Sequence, residues 1–114
     1  MPFRSQQTLE LWLEEFRSLG YTIAGTIKVM QQDGGDGDDT GLVGVRLANA
    51  ETVTYVQPEA PYSPKWVVTM EAREQPVVLD SVELLNLAAE LSVVSALCAF
   101  LQAKSAAYLD RDTV

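Results

Sequence analysis

A chain of 114 residues with 47% hydrophobic and 21% charged side chains has the makings of one globular domain spanning 1–114, which excludes disorder over its whole length. Sixteen acidic against eight basic residues give a net charge of -8, which points away from nucleic acid and anionic membrane, since both select basic faces. With no histidine the commonest general base and metal ligand is missing, and the single cysteine, Cys98, allows no intramolecular disulfide, as suits a reducing, cytoplasmic setting.

The start, MPFRSQQTLELW, carries no apolar run of the kind a secretory leader needs, so none is expected. From Ser5 to Leu19 the spacing predicts an amphipathic helix with Leu9, Trp12, Leu13, Phe16 and Leu19 on one face. Ser5 or Thr8 caps it and Gly20 supplies the stop. The period then changes to two. Tyr21, Ile23, Ile27 and Val29 alternate with Thr22, Ala24, Thr26 and Lys28, and Val43, Val45 and Leu47 alternate with Gly44 and Arg46, giving two strands with one buried face each. After Asn49-Ala50, a third strand is expected over Thr52–Val56, with Val53 and Tyr55 inward and Thr52 and Thr54 outward. QPEAPYSP, with prolines at 58, 61 and 64, reads as a connection or an edge, and Lys65–Glu71 resumes alternation with Trp66, Val68 and Met70 inward.

The last element is a long helix from about Ser81 to Tyr108, opened by a capping box of Asp80 and Glu83, with the tail 110–114 expected to fray. At 1.5 Å per residue it spans roughly 42 Å, whereas a compact domain of this length is about 34 Å across. Three of its seams are apolar or small. One is large (Leu84, Leu87, Leu91, Val94, Cys98, Leu101, Tyr108), one is mostly small (Leu85, Ala88, Ser92, Ser95, Ala99, Gln102, Ala106), and the third holds Asn86, Ala89, Val93, Ala96, Phe100 and Ala103. Only the line Glu83, Glu90, Lys104 and Arg111, interrupted by Leu97, is charged. A helix apolar around most of its girth must be covered on more than one side. A membrane reading fails on the polar interruptions Asn86, Glu90, Ser92, Ser95 and Gln102.

The sum is an α+β fold: an N-terminal helix, a four-stranded antiparallel meander and a long C-terminal helix, with both helices on one sheet face. The opposite face should collect Thr22, Thr26, Lys28, Arg46, Thr52, Thr54, Thr69 and Glu71.

Residues 31–41, QQDGGDGDDTG, form the most conspicuous local pattern. Asp36-x-Asp38-x-Thr40-Gly41 imitates the first half of a calcium loop, but the twelfth position is Leu47 where a bidentate Glu belongs, so the segment reads as a mobile acidic loop and no metal site is assigned. Cys98 lies mid-helix in an apolar seam, the wrong setting for a thiolate nucleophile, and Glu71 and Glu74 near a strand end form no pattern beyond chance among sixteen acids. No cofactor motif and no catalytic residue is identified. In outline, a small acidic α+β chain with a sheet and a dimerising helix is similar to bacterial secretion chaperones, although these place a helix between strands where this chain has QPEAPYSP. The likeness is one of fold-level analogy.

Two functions are expected. The first is a non-enzymatic homodimeric interaction domain, chaperone- or adaptor-like, using the small seam Leu85, Ala88, Ser92, Ser95, Ala99, Gln102 and Ala106 for self-association and the face bearing Thr22, Thr26, Lys28, Arg46, Thr52, Thr54 and Thr69 for another protein. The second is a small-molecule-binding or enzymatic domain with a pocket between sheet and helices, lined by Tyr55, Tyr62 and Trp66.

Overall fold

A computed structural model describes residues 5–23, 25–30, 42–48, 50, 52–60, 63–71 and 76–112. The loop 31–41, Tyr62 and residues 113–114 lie outside the described residues, and so do the expectations attached to them. The order is α1 (Gln6–Ser18), β1 (Thr26–Met30), β2 (Leu42–Arg46), β3 (Thr54–Pro58), β4 (Trp66–Met70) and α2 (Ser81–Asp112). The strands form one antiparallel sheet in the order β1-β2-β3-β4, the expected meander.

Of the two candidate caps it is Ser5 that opens α1. Its Oγ accepts from the Thr8 N–H at 3.3 Å, and its carbonyl accepts the first helical bond from Leu9. Leu9, Leu13 and Phe16 are buried, while Leu19, expected on the same face, falls outside the helix and is exposed. Gly20 takes a φ of 98°, the left-handed conformation that a side chain resists, and its N–H returns to the Arg17 carbonyl. The Phe16 ring is stacked on Tyr21 at 4.5 Å and tilted against Phe100 at 5.4 Å, which ties the turn to both helices.

The first strand starts later than its alternation suggests, at Thr26, because the chain must first pass close to the end of β2. A Cβ on Gly25 would stand 1.6 Å from the Arg46 carbonyl oxygen, so only glycine permits that approach. Pairing then follows Ile27↔Val45 and Val29↔Val43, with Val43↔Val56 and Val56↔Val68 continuing the row across the sheet. The rows place Val29, Val43, Val45, Val56 and Trp66 on the face covered by both helices, where they meet Leu9, Leu13 and Phe16 of α1 and Val94, Leu97 and Leu101 of α2 in one core.

β3 is turned over relative to the sequence expectation. Thr54 and Val56 face the helices, Thr54 only 3% exposed, while Val53 is 60% exposed and Tyr55 lies on the open face. Thr54 can be buried because its hydroxyl donates to the Thr52 carbonyl at 3.1 Å. The strand also runs on to Pro58, which pairs with Trp66; β2 pairs with β3 only up to Val56, so the N–H that proline lacks would have met no strand.

α2 opens as expected. The Glu83 N–H donates to Asp80 Oδ1 at 2.8 Å, and the Asp80 N–H donates to Glu83 Oε1 at 3.3 Å. The helix passes Tyr108 and continues to Asp112, about 48 Å in all. It makes the molecule 51 × 32 × 19 Å, with a radius of gyration of 15.0 Å against about 13 Å for a compact domain of similar size. From Ser81 to Ala89 only Leu87 is even half-buried, so the first part of α2 overhangs the sheet.

Candidate interaction surfaces

Four side chains of α2 fix which of its lines faces the domain. Trp66 lies at the end of edge strand β4, and its backbone N–H and C=O point away from β3. The N–H donates to Gln102 Oε1 at 3.2 Å, the Cys98 thiol donates to the carbonyl at 3.3 Å, and the indole N–H donates to the Ser105 hydroxyl at 2.8 Å. Positions 98, 102 and 105 are one stripe of a helix, so α2 caps the strand edge that would otherwise be open there. Further down, the Glu90 carboxylate, 3% exposed, accepts from the Ala48 N–H at 2.8 Å. The line on which the sequence placed its charges is thus turned inward at Glu90. The carboxyl group can be buried there because it accepts from a backbone donor just past the end of β2. Lys104 stays outside and pairs with Glu15 of α1 at 2.7 Å. Leu97, which interrupts the charged line, is fully buried.

These bonds turn the small seam outward. Leu85, Ala88, Ser92, Ser95, Ala99 and Ala106 are exposed, and Gln102 is half-buried through its bond to Trp66. Leu85 reaches 70% exposure, and Val77, Val78, Val82 and Leu84 are also exposed, as are Val68 and Met70 at the β4 edge. A groove of about 370 Å³ runs between Val68 and the seam, lined by Leu91, Ser95, Cys98 and Ala99. Burial pushes the Cys98 thiol above its usual pKa, so it stays protonated and donates to the Trp66 carbonyl. By length and composition the stretch Ser81–Tyr108, whose most apolar 18-residue window has a mean hydropathy of 2.0, is also long and apolar enough to cross a membrane, and only 22% of that window is buried in the fold.

The second surface is the open sheet face. Cross-strand rows put Lys28, Gly44, Tyr55 and Thr69 side by side, and Thr26 next to Arg46. Of the residues expected on this face, Thr26, Lys28, Arg46 and Thr69 are there, and Thr52 lines a trough at its edge. Thr54 is on the opposite, buried face for the reason given above. Thr22 precedes β1 and lines a separate cleft with Asn86, Ala89 and Val93 of α2. A pocket built from Tyr55 and Trp66 does not form: Trp66 is buried in the core and Tyr55 lies on the other side of the sheet. A trough of about 640 Å³ lies on the open face over β1, β2 and the connection from β2 to β3.

Among the described residues, no group of three histidine, cysteine or acidic side chains could hold a metal ion. Compared with protein-family models, curated proteins and solved structures, the chain matches none.

Proposed function

We propose that the protein is a non-enzymatic interaction domain that self-associates through α2, with a second copy covering the seam that the fold leaves bare. The observation that carries this reading is the exposure of a nearly continuous apolar and small face along a helix otherwise bonded into its domain. Small side chains at Ala88, Ser92, Ser95 and Ala99 suit two helices at the short end of the 8–10 Å range of interaxial distances. A strip 48 Å long and about 10–12 Å wide offers roughly 500 Å² per copy, short of the about 800 Å² per partner of a standard interface. Val68, exposed and sharing a groove with Ser95 and Ala99 of the strip, therefore extends the contact. Lipid is a poorer cover, because Glu90, Gln102, Ser105 and Lys104 spread the helix's polar bonds over four turns and a membrane span would have to break them.

Light scattering at micromolar concentration tests the reading. The parent chain should have twice the mass of one chain, and Ser92→Arg with Ala99→Arg should give a folded monomer, since both positions are exposed in the single chain and buried only in the pair. A monomeric parent refutes the proposal, and so does a parent that stays monomeric in buffer and floats with neutral liposomes.

A further inference from the structure

The trough on the open sheet face has a charge pattern that the rest of the chain does not. Among the described basic residues, Arg17 donates to the Ile27 carbonyl, Lys65 pairs with Glu59 and Lys104 pairs with Glu15. Lys28 and Arg46 line the trough with no such bond, and no acidic residue lies among its described lining residues, although acids outnumber bases two to one in the chain. The register fixes their spacing. Lys28 stands opposite Gly44 and Arg46 opposite Thr26, so the two cations are diagonal neighbours on adjacent strands, about 7–8 Å apart at their roots.

The trough's shape selects the ligand class. Its walls at Thr26, Lys28, Met30, Arg46 and Val53 are themselves exposed, so a small molecule would stay largely wet, whereas small-molecule sites bury about 70–90% of their ligand. It follows β1 over its whole length, and its floor is Gly44, where the absence of a side chain lets another backbone approach. Only the Met30 thioether reaches over that floor, its Sδ 2.7 Å from where a Cβ would stand, and methionine swings aside readily. In an extended chain, side chains two residues apart point the same way and are about 6.8 Å apart, close to the spacing of the two cations. A long uniform polyanion is disfavoured by the net charge of -8, but at physiological salt that repulsion is screened beyond about 8 Å and a short acidic stretch is not excluded by it.

We propose that this trough docks an extended acidic segment of a partner polypeptide, with carboxylates at alternate positions held by Lys28 and Arg46. The proposal rests on the reading above in that α2 is taken up by the second copy and the sheet face is left for a different protein.

The test is a titration of the isotopically labelled full chain with a capped ten-residue peptide of alternating Glu and Ser, followed through its amide resonances. Saturable shifts at Thr26, Gly44 and Val53 are expected, with binding at least tenfold weaker for Lys28→Glu/Arg46→Glu, whose melting temperature should equal the parent's because both side chains are exposed. No shifts up to millimolar peptide, undiminished binding by the variant, or equal binding of a Lys-for-Glu peptide overturns the proposal. The same shifts from free glutamate at equal carboxylate concentration also overturn it, in favour of a small-carboxylate site. Light scattering on the same samples separates the two readings: a monomer with intact shifts refutes only the pairing of α2, and a dimer without shifts refutes only the trough.

Discussion

Replacing Ser105 by alanine probes the bond that seats α2 on the sheet. The hydroxyl is fully buried and accepts the indole N–H of Trp66, itself 2% exposed, at 2.8 Å, so alanine removes the acceptor of that buried N–H. Removing the acceptor of a buried donor costs about 1–3 kcal/mol, and the better helix propensity of alanine returns at most about 0.5 kcal/mol. The net loss should be about 1–2 kcal/mol, a fall in melting temperature of roughly 4–8 °C at this chain length. The informative step is the same substitution in a Trp66→Phe background. Phenylalanine has no N–H to orphan, so Ser105→Ala should there be neutral or slightly stabilising, although Trp66→Phe by itself costs a few kcal/mol through the cavity it opens. Urea unfolding followed by far-ultraviolet circular dichroism gives all four stabilities, measured at one protein concentration because the proposed self-association would make stability concentration-dependent. If Ser105→Ala is equally costly in both backgrounds, or costless in the parent, the hydrogen bond does not hold helix and strand together and the orientation of α2 needs another cause.

The phase of β3 gives a second test: Val53→Lys should change stability by no more than about 0.5 kcal/mol, whereas Val56→Lys puts an unpaired charge into the core and should unfold the domain, the reverse of what alternation from Val53 and Tyr55 predicts. Cys98 gives a third. Its folded pKa is raised, so its contribution is fully present below the unfolded thiol's value and is lost as pH rises from about 8.5 upward, where the unfolded chain ionises first. Stability should therefore decline more steeply above that pH in the parent than in Cys98→Ala, and alkylation of the native thiol at pH 8 should be slower than that of the urea-unfolded chain; equal slopes and equal rates would contradict the burial.

Local chemistry determined the element order and most of the boundaries. Ser5, Gly20 and the Asp80–Glu83 pair act on backbone groups within a few residues of themselves, so the limits they set are legible without the rest of the chain. The inward phase of β2 was equally legible, because Val43, Val45 and Leu47 alternate with Gly44 and Arg46, neither of which competes for the core. So was the excess length of α2, which follows from a capped start and the absence of any breaker. β3 was not, since Tyr55-Val56 places two apolar residues in succession and either phase satisfies the pattern; the row Val29–Val43–Val56–Val68 across the sheet chose between them, and a local bond to the Thr52 carbonyl made Thr54 tolerable inside. The orientation of α2 was hidden for a related reason. A helix apolar on three seams has no single face to turn inward, and its rotation is fixed by partners far away in sequence: the Ala48 N–H that draws Glu90 inside, and the edge groups and indole of Trp66 that take Gln102, Cys98 and Ser105. The exposed seam and the open-face trough exist only as the remainder of those choices, because a surface is what packing leaves over and periodicity along the chain records none of it.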